Sequence, residues 1–289
     1  MDKKCTVWVT GANGQLGREM KTVLTAENTF RSLFTDVQEL DITDAVAVEK
    51  YMTAESIDFI VNCAAYTQVE QAEENESLCH KINTEAVGNL AEAVIRHGAK
   101  MIQISTDYVF DGMGHKPYSE TDIPAPVSVY GRTKLEGERL LFSVAPDSAA
   151  VIRTSWLYSP YGNNFVKTMI RLGEERELLK VVSDQVGTPT YASDLASAIL
   201  VLLKAPLFIP GIYHFSNEGV CSWYDFTRSI HRLAGITCKV LPIDSSEYPA
   251  KVRRPFYSVL NKKKIKETYS IEIPHWEDSL ARCIEILKK

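Results

Sequence analysis

No two of the six cysteines, Cys5, Cys63, Cys79, Cys221, Cys238 and Cys283, form a CxxC pair, and no His/Cys cluster has zinc-site spacing. A metal ribbon and a disulfide-stapled scaffold are both disfavoured, and the thiols are expected to be buried. Also missing is any apolar run approaching the roughly 18 residues a membrane-spanning helix needs. Residues 1–4 lead straight into an apolar strand rather than into the basic start and long apolar core of a signal peptide. The expected setting is therefore cytoplasmic, with no membrane partner. The formal net charge of −5 gives no general field for nucleic acid, so any phosphate must be held by local geometry. Repeats and low-complexity tracts are absent, and Lys262 to Lys264 is too short a basic run to be more than solvated surface.

With 289 residues, 45% of them apolar and 24% charged, the chain can bury a large core and divide into a larger and a smaller lobe. Its first half alternates helical patterns with short β-rich runs at Thr6–Val9, Ser32–Thr35, Phe59–Asn62, Met101–Ile104 and Val151–Arg153. Parallel strands need long crossovers, which are usually helical. The alternation thus predicts an α/β fold, a doubly wound parallel (Rossmann) sheet with a smaller α/β substrate-binding lobe. Further on, helices are expected near Asn164–Glu175 and Ser193–Leu203, with a strand near Leu178–Val182 that could extend the first sheet. Ser222 and Asp225 read as a capping box, and a Pro- and Arg-containing loop runs from Pro242 to Pro255. The expected division gives residues 1–154 to the dinucleotide-binding domain, with 178–205 and 222–235 returning to it. Residues 155–177, 206–221 and 236–289 go to the smaller lobe.

The segment TVWVTGANGQLG, Thr6 to Gly17, is an apolar strand feeding a turn with Gly11, Gly14 and Gly17, then a helix from about Gln15. Glycine admits positive φ and close approach of a pyrophosphate, and the N–H groups at the helix start stabilise its charge. Asp36 ends the second strand about 20 residues later, where a carboxylate accepts hydrogen bonds from an adenosine ribose. Its charge favours a free 2′-hydroxyl, hence NADH, unless Arg31 or another cation compensates. Asp41 and Ile42 offer an adenine-contacting loop, although a helix cap at Asp41 or Thr43 explains the same letters.

Tyr130 and Lys134, in YGRTK, are the only YxxxK pair among 13 tyrosines, and their spacing puts both on one helix face. A free tyrosine has a pKa of about 10, so a nearby ammonium is needed to stabilise phenolate as the proton leaves for a substrate oxygen. The pair lies downstream of a strand ending in Ser105, Thr106 and Asp107, where ligands bind in such sheets. Thr106 is the candidate to orient a reacting carbonyl, with Ser105 its close competitor.

These pieces, together with VNCAAYTQVEQAE from Val61, STDYVFDG from Ser105, YGRTKLEGE from Tyr130, RTSWLY from Arg153, GNNFVKTM from Gly162 and DQVGTPTYASDLA from Asp184, resemble the dTDP-4-dehydrorhamnose reductase family of extended short-chain dehydrogenases. The resemblance covers almost the whole chain. It implies reduction of the C4 ketone of dTDP-4-dehydro-L-rhamnose by NADH or NADPH, with Tyr130, Lys134 and Thr106 catalytic and a monomer or homodimer as the working unit. Gly14, Gln15, Leu16, Asp36, Asp41, Ile42, Ala64, Ala65 and Tyr66 would line the dinucleotide, with Tyr130 and Lys134 facing its nicotinamide half. Thr106, Asp107 and Trp156 would meet the sugar. Arg254, in RRPFYSVLN, would hold the diphosphate with help from Arg253, and Asn164 and Lys167 are weaker candidates. Some members use carboxylates around magnesium at a dimer interface; Glu19 matches one ligand, but Ser193 stands where another carboxylate is expected, which argues against the ion. Two other readings stay open from sequence. One is an epimerase or dehydratase that recycles its cofactor, although TDY lacks the Glu that many dehydratases carry after the Thr. The other is a cofactor-binding regulatory subunit, like the relative that associates with methionine adenosyltransferase.

Overall fold

The computed structural model of the chain describes residues 4–27, 29–248 and 250–289. The start of the chain read above as leading into a strand, residues 1–3, and Pro249 of the expected loop lie outside the described residues. In order, the elements are β1 (Cys5–Thr10), α1 (Gln15–Ala26), β2 (Phe30–Thr35), α2 (Ala45–Glu55), β3 (Phe59–Asn62), α3 (Val69–Ala72) and α4 (Glu76–His80). A π-helical turn, Lys81–Glu85, leads into α5 (Ala86–His97), followed by β4 (Lys100–Thr106), α6 (Val129–Val144), β5 (Ala149–Thr154), β6 (Leu157–Tyr158) and α7 (Phe165–Glu175). Then come β7 (Leu178–Val182), β8 (Val186–Gly187), β9 (Thr190–Tyr191), α8 (Ala192–Lys204), β10 (Gly211–His214), β11 (Cys221–Ser222), α9 (Trp223–Ala234), β12 (Lys239–Ile243), α10 (Lys263–Tyr269) and α11 (Trp276–Leu287).

Six strands form one parallel sheet in the order β10-β5-β4-β3-β1-β2. All five strands expected from the first half are in it. They read as near-continuous apolar runs because both faces are covered. Val7 and Val9 point to the side packed by α1 and α8, whereas Trp8 points to the side packed by α2 and α5. Each buried aliphatic side chain, such as Val61, Ile102 or Ile152, contributes about 1.5–3 kcal/mol by leaving water. The chain moves outward from β1 to β2 and then crosses to β3 on the other side. That reversal opens a crevice above the carboxyl ends of β1 and β3, where doubly wound sheets take their ligands.

The later half departs from expectation in three places. Residues 178–182 do not extend the main sheet; β7 pairs in parallel with β12. The reason is competition for an edge, because β10 pairs with β5 from Gly211↔Ala150 to His214↔Arg153 and closes that side. Residues 206–221, expected in the smaller lobe, thus include the sixth strand of the large one. Conversely α9, within residues 222–235 expected to return to the large lobe, buries Phe226 and Ile230 against Tyr158, Trp276 and Leu280 of a separate core. Its start is as expected, with the Ser222 hydroxyl accepting from the Asp225 N–H and the Asp225 carboxylate reaching back to the Ser222 N–H at 3.0 Å. Helix α8 does rejoin the large lobe, and α10 brings Ile265 and Tyr269 to the same core. The cysteine expectation needs correction too: Cys79, Cys221 and Cys283 are buried, but Cys5, Cys63 and Cys238 are only partly so, Cys63 because it lines the cleft at the end of β3.

Candidate active site

A cleft of about 1130 Å³ runs from the glycine turn, over the carboxyl ends of the central strands, to the smaller lobe. Gly11 has φ of 61°, and a Cβ there would sit 2.6 Å from the Ala64 nitrogen. At Gly17 it would meet the Gly11 carbonyl at 2.3 Å, so this residue lets α1 start tight against the turn. Gly14 differs: among the described residues the only atom within 4 Å of an added Cβ would be the Gly11 carbonyl oxygen, at 3.2 Å, so a side chain there would project into the cleft. It caps α1, whose first turn has no side-chain cap and no acidic residue. Free N–H groups facing open space suit an anion, so the cradle fits a dinucleotide diphosphate.

Asp36 also lines the cleft, and its carboxylate accepts the N–H groups of Asn13 at 2.9 Å and Val37 at 2.8 Å. Arg31 does not compensate for it, because its guanidinium is bound to the Glu55 carboxylate and to the Glu55 carbonyl at 2.9 Å. Asp41, Ile42, Ala64 and Ala65 are on the wall, as are Gln15, Leu16 and Gly17. Asp41 accepts the Thr43 N–H in a turn, and the α2 cap is Asp44 rather than Asp41 or Thr43. Tyr66 is not on the wall. Asn83 clamps its backbone from both sides, at 2.9 and 3.1 Å, and its ring packs behind Tyr130 among Ala72, Cys79 and Val129.

Helix α6 delivers Tyr130 and Lys134 from the other side. Ser128 caps it, and Gly131 lets it approach so closely that a Cβ would lie 2.2 Å from the Tyr108 carbonyl. The Tyr130 ring therefore meets Tyr108 edge to face at 5.5 Å. Burial raises the Tyr130 hydroxyl well above the ordinary phenol range, opposed by a hydrogen bond with Thr106. Lys134 is buried and donates to the Ile104 carbonyl at 2.7 Å. Burial pushes its ammonium down to about 8, with the Glu138 carboxylate the main influence holding it up.

The competition between the two strand-end hydroxyls is resolved by direction. Ser105 donates backward to the buried Glu138 carboxylate, whereas Thr106 faces Tyr130, accepts the Tyr108 N–H at 3.2 Å and donates to Asp107 at 3.0 Å. The other Asp107 oxygen, Oδ2, is buried with no hydrogen bond of good geometry among the described residues, and burial pushes this carboxyl up to about 7 against the Thr106 and Ser258 hydroxyls that bear on it. A buried acceptor without a donor suits a ligand hydroxyl. Trp156 lines the cleft at φ of 49°, a strained conformation for a bulky residue, and stacks on Trp223 at 3.5 Å.

Arg254 reaches the cleft, where its guanidinium pairs with Glu70 at 3.3 Å. Arg253 turns away to Met113 and the Phe256 ring, and Lys167 bonds the Pro160 carbonyl at 3.4 Å, so neither lines the cleft. Asn164 caps α7 and donates to the Gln15 side chain at 2.9 Å, tying the two lobes together across the cleft. Sequence reasoning missed Tyr108, Trp223, Gln185 and Glu70, all on the wall. Tyr108, Glu70 and Gln185 lay within STDYVFDG, VNCAAYTQVEQAE and DQVGTPTYASDLA and could have been found there; Trp223 carried no such signal. Glu19 is buried near Ser193 and Asp194, with its carboxyl raised by burial. Asp194 is already engaged by Asn217, Ser279 and Arg282 at 2.7, 2.5 and 2.6 Å. One desolvated carboxyl beside a satisfied one does not fit a hard divalent ion such as magnesium.

Comparison with known proteins places this geometry. Residues 5–289 match the model of the RmlD substrate binding domain family. A dTDP-4-dehydrorhamnose reductase of Aggregatibacter actinomycetemcomitans is 42% identical over 284 residues, covering 94% of this chain and 96% of that protein. The crystal structure of such a reductase from Clostridium acetobutylicum is 44% identical, with a TM-score of 0.94 over 98% of this chain and 100% of that one. The Bacillus anthracis reductase, solved in complex with NADP, is 41% identical with the same TM-score and the same coverage.

Proposed function

This chain belongs to the dTDP-4-dehydrorhamnose reductase family, and on that premise we propose how its own residues carry out the reaction. The chain is an NAD(P)H-dependent reductase acting in dTDP-rhamnose synthesis. That identity sets aside both the recycling epimerase or dehydratase and the purely regulatory subunit. The reduced nicotinamide, when bound, supplies the hydride that turns the C4 ketone into an alcohol. Everything else falls to side chains. The glycine cradle and the first turn of α1 hold the diphosphate of the cofactor, Asp36 takes the adenosine ribose, and Asp41 and Ile42 lie beside the adenine.

The observation that carries the assignment is the convergence of Thr106, Tyr130 and Lys134 on the cleft the cradle opens into. Thr106 turns its hydroxyl proton from Asp107 to the ketone oxygen and orients it. Tyr130 gives up its hydroxyl proton to that oxygen, and the raised phenol keeps this proton in place at neutral pH. Lys134, still charged at neutral pH, offsets the phenolate that forms. Asp107 accepts a sugar hydroxyl on its open oxygen, Trp156 lies against the ring, and Arg254 exchanges Glu70 for the nucleotide diphosphate. We assign the L-configured 4-dehydrorhamnose as substrate, and a cytoplasmic monomer or homodimer as the working form, supported by the free thiols of Cys63, Cys79, Cys221, Cys238 and Cys283. We also divide the molecule into a dinucleotide lobe, residues 1–154 with 192–214, and a substrate lobe built around α7, β7, α9, β12 and α11.

Replacing Tyr130→Phe is the test. Turnover should fall by about 100-fold to 10,000-fold, the usual worth of a positioned proton donor, while reduced cofactor still binds. Near wild-type turnover would refute the assignment.

A further inference from the structure

Behind the reacting side chains is a second polar layer. Glu138 follows Lys134 by four residues on α6, so Tyr130, Lys134 and Glu138 form one stripe of the helix. Its carboxylate is 2% exposed and accepts four bonds: the Ser105 hydroxyl to Oε1, Arg153 Nε at 3.0 and 3.2 Å, and Arg153 Nη2 at 2.6 Å. Arg153, on β5, is 1% exposed and lies over the Phe110 ring at 5.1 Å. The cluster joins α6, β4 and β5 directly beneath Thr106, Tyr130 and Lys134.

We propose that Glu138 is a positioning residue for the reduction, holding the Lys134 ammonium charged within a buried site and, through Ser105, fixing the strand end that presents Thr106. This rests on the catalytic reading of Tyr130 and Lys134. A buried ion pair is a weak source of stability, since desolvation offsets its attraction, so folding alone does not account for it. A charge role does. The titratable groups facing Lys134 are Glu138 on its own helix, Cys79 on α4 and Cys63 beyond β3, with Tyr130 one turn back on the same stripe; those facing Arg153 are Glu138, His214 on β10 and Glu120. Burial leaves Cys63 and Cys79 protonated and His214 neutral, with the histidine driven down to about 3. Glu138, held on both oxygens by the Arg153 guanidinium, is the carboxylate one helical turn from the lysine.

The sign follows. Removing the carboxylate disfavours the ammonium, so Lys134 loses its proton at lower pH. In Glu138→Gln the alkaline limb of kcat/KM should move down by about one pH unit or more, the shift that one nearby opposite charge produces. The double variant Glu138→Gln/Arg153→Met removes the pair together and avoids a stranded guanidinium, so it folds even where the single variant does not. Its limb should fall between those of Glu138→Gln and the wild type, since the opposing charge of Arg153 has gone as well. Limbs that coincide with the wild type in the folded variants, with only the melting temperature changed, would overturn the proposal. Tyr130→Phe, assayed alongside, keeps the two ideas apart: if it is inactive while the Glu138 limbs stay put, only the role of Glu138 fails; if it remains active, the catalytic reading itself fails.

Discussion

Replacing Asp107→Asn should make the protein more stable and the enzyme worse, and the stability gain should depend on pH. Asp107 is 4% exposed, keeps one oxygen without a hydrogen bond of good geometry among the described residues, and has its carboxyl raised from 3.8 to about 7. The folded chain thus binds a proton between about pH 4 and 7 that the unfolded chain has released. Stability is lost as pH rises through that window, and the full cost is present above it. The interval corresponds to about 4 kcal/mol at most, and about 2 kcal/mol once water entering the open cleft is allowed for. Asparagine has the same shape and no charge to bury. For a chain of this size, 2–4 kcal/mol is a rise in melting temperature of about 3–7 °C. Thermal melts of the wild type and Asp107→Asn at pH 8.5 should differ by that much, with the gap narrowing as the pH is lowered to 5. The variant should also lose kcat/KM, because an amide accepts a sugar hydroxyl less strongly than a carboxylate. A gap that ignores pH, or a variant less stable at pH 8.5, would refute the idea that this carboxyl is held against its own desolvation.

Three further outcomes follow from the same geometry. Gly17→Ala forces a methyl onto the Gly11 carbonyl, so stability should fall by about 1–3 kcal/mol and cofactor affinity with it, as read by melting and by nicotinamide fluorescence titration. Asp36→Ala should raise the NADPH-to-NADH ratio of kcat/KM by about tenfold, a modest 1.4 kcal/mol of like-charge repulsion removed, whereas Arg31→Ala should leave the ratio unchanged because that guanidinium is bound to Glu55. Glu70→Gln should free Arg254 and lower KM for the nucleotide sugar with kcat kept; an unchanged KM would show that Arg254 does not hold the diphosphate.

The amino-acid sequence by itself determined the features that depend on neighbours along the chain. The apolar runs set the five first strands, the three glycines set the turn, and the four-residue spacing put Tyr130 and Lys134 on one helix face. Each is a matter of backbone period or local φ, so a short stretch contains the whole cause. Only tertiary structure decided matters settled by what a residue meets from far away. Ser105 and Thr106 are adjacent hydroxyls with equal chemistry; which one serves the ketone depends on Glu138, 33 residues on from Ser105, taking the first. Residues 178–182 and 211–214 both have strand character, and the free edge of β5 could accept only one of them. Tyr66 was drawn behind Tyr130 by Asn83, and Trp223 was carried onto the cleft by its stack with Trp156, both long-range pairings. Burial and competition for partners are properties of the assembled chain, and no window of sequence contains them.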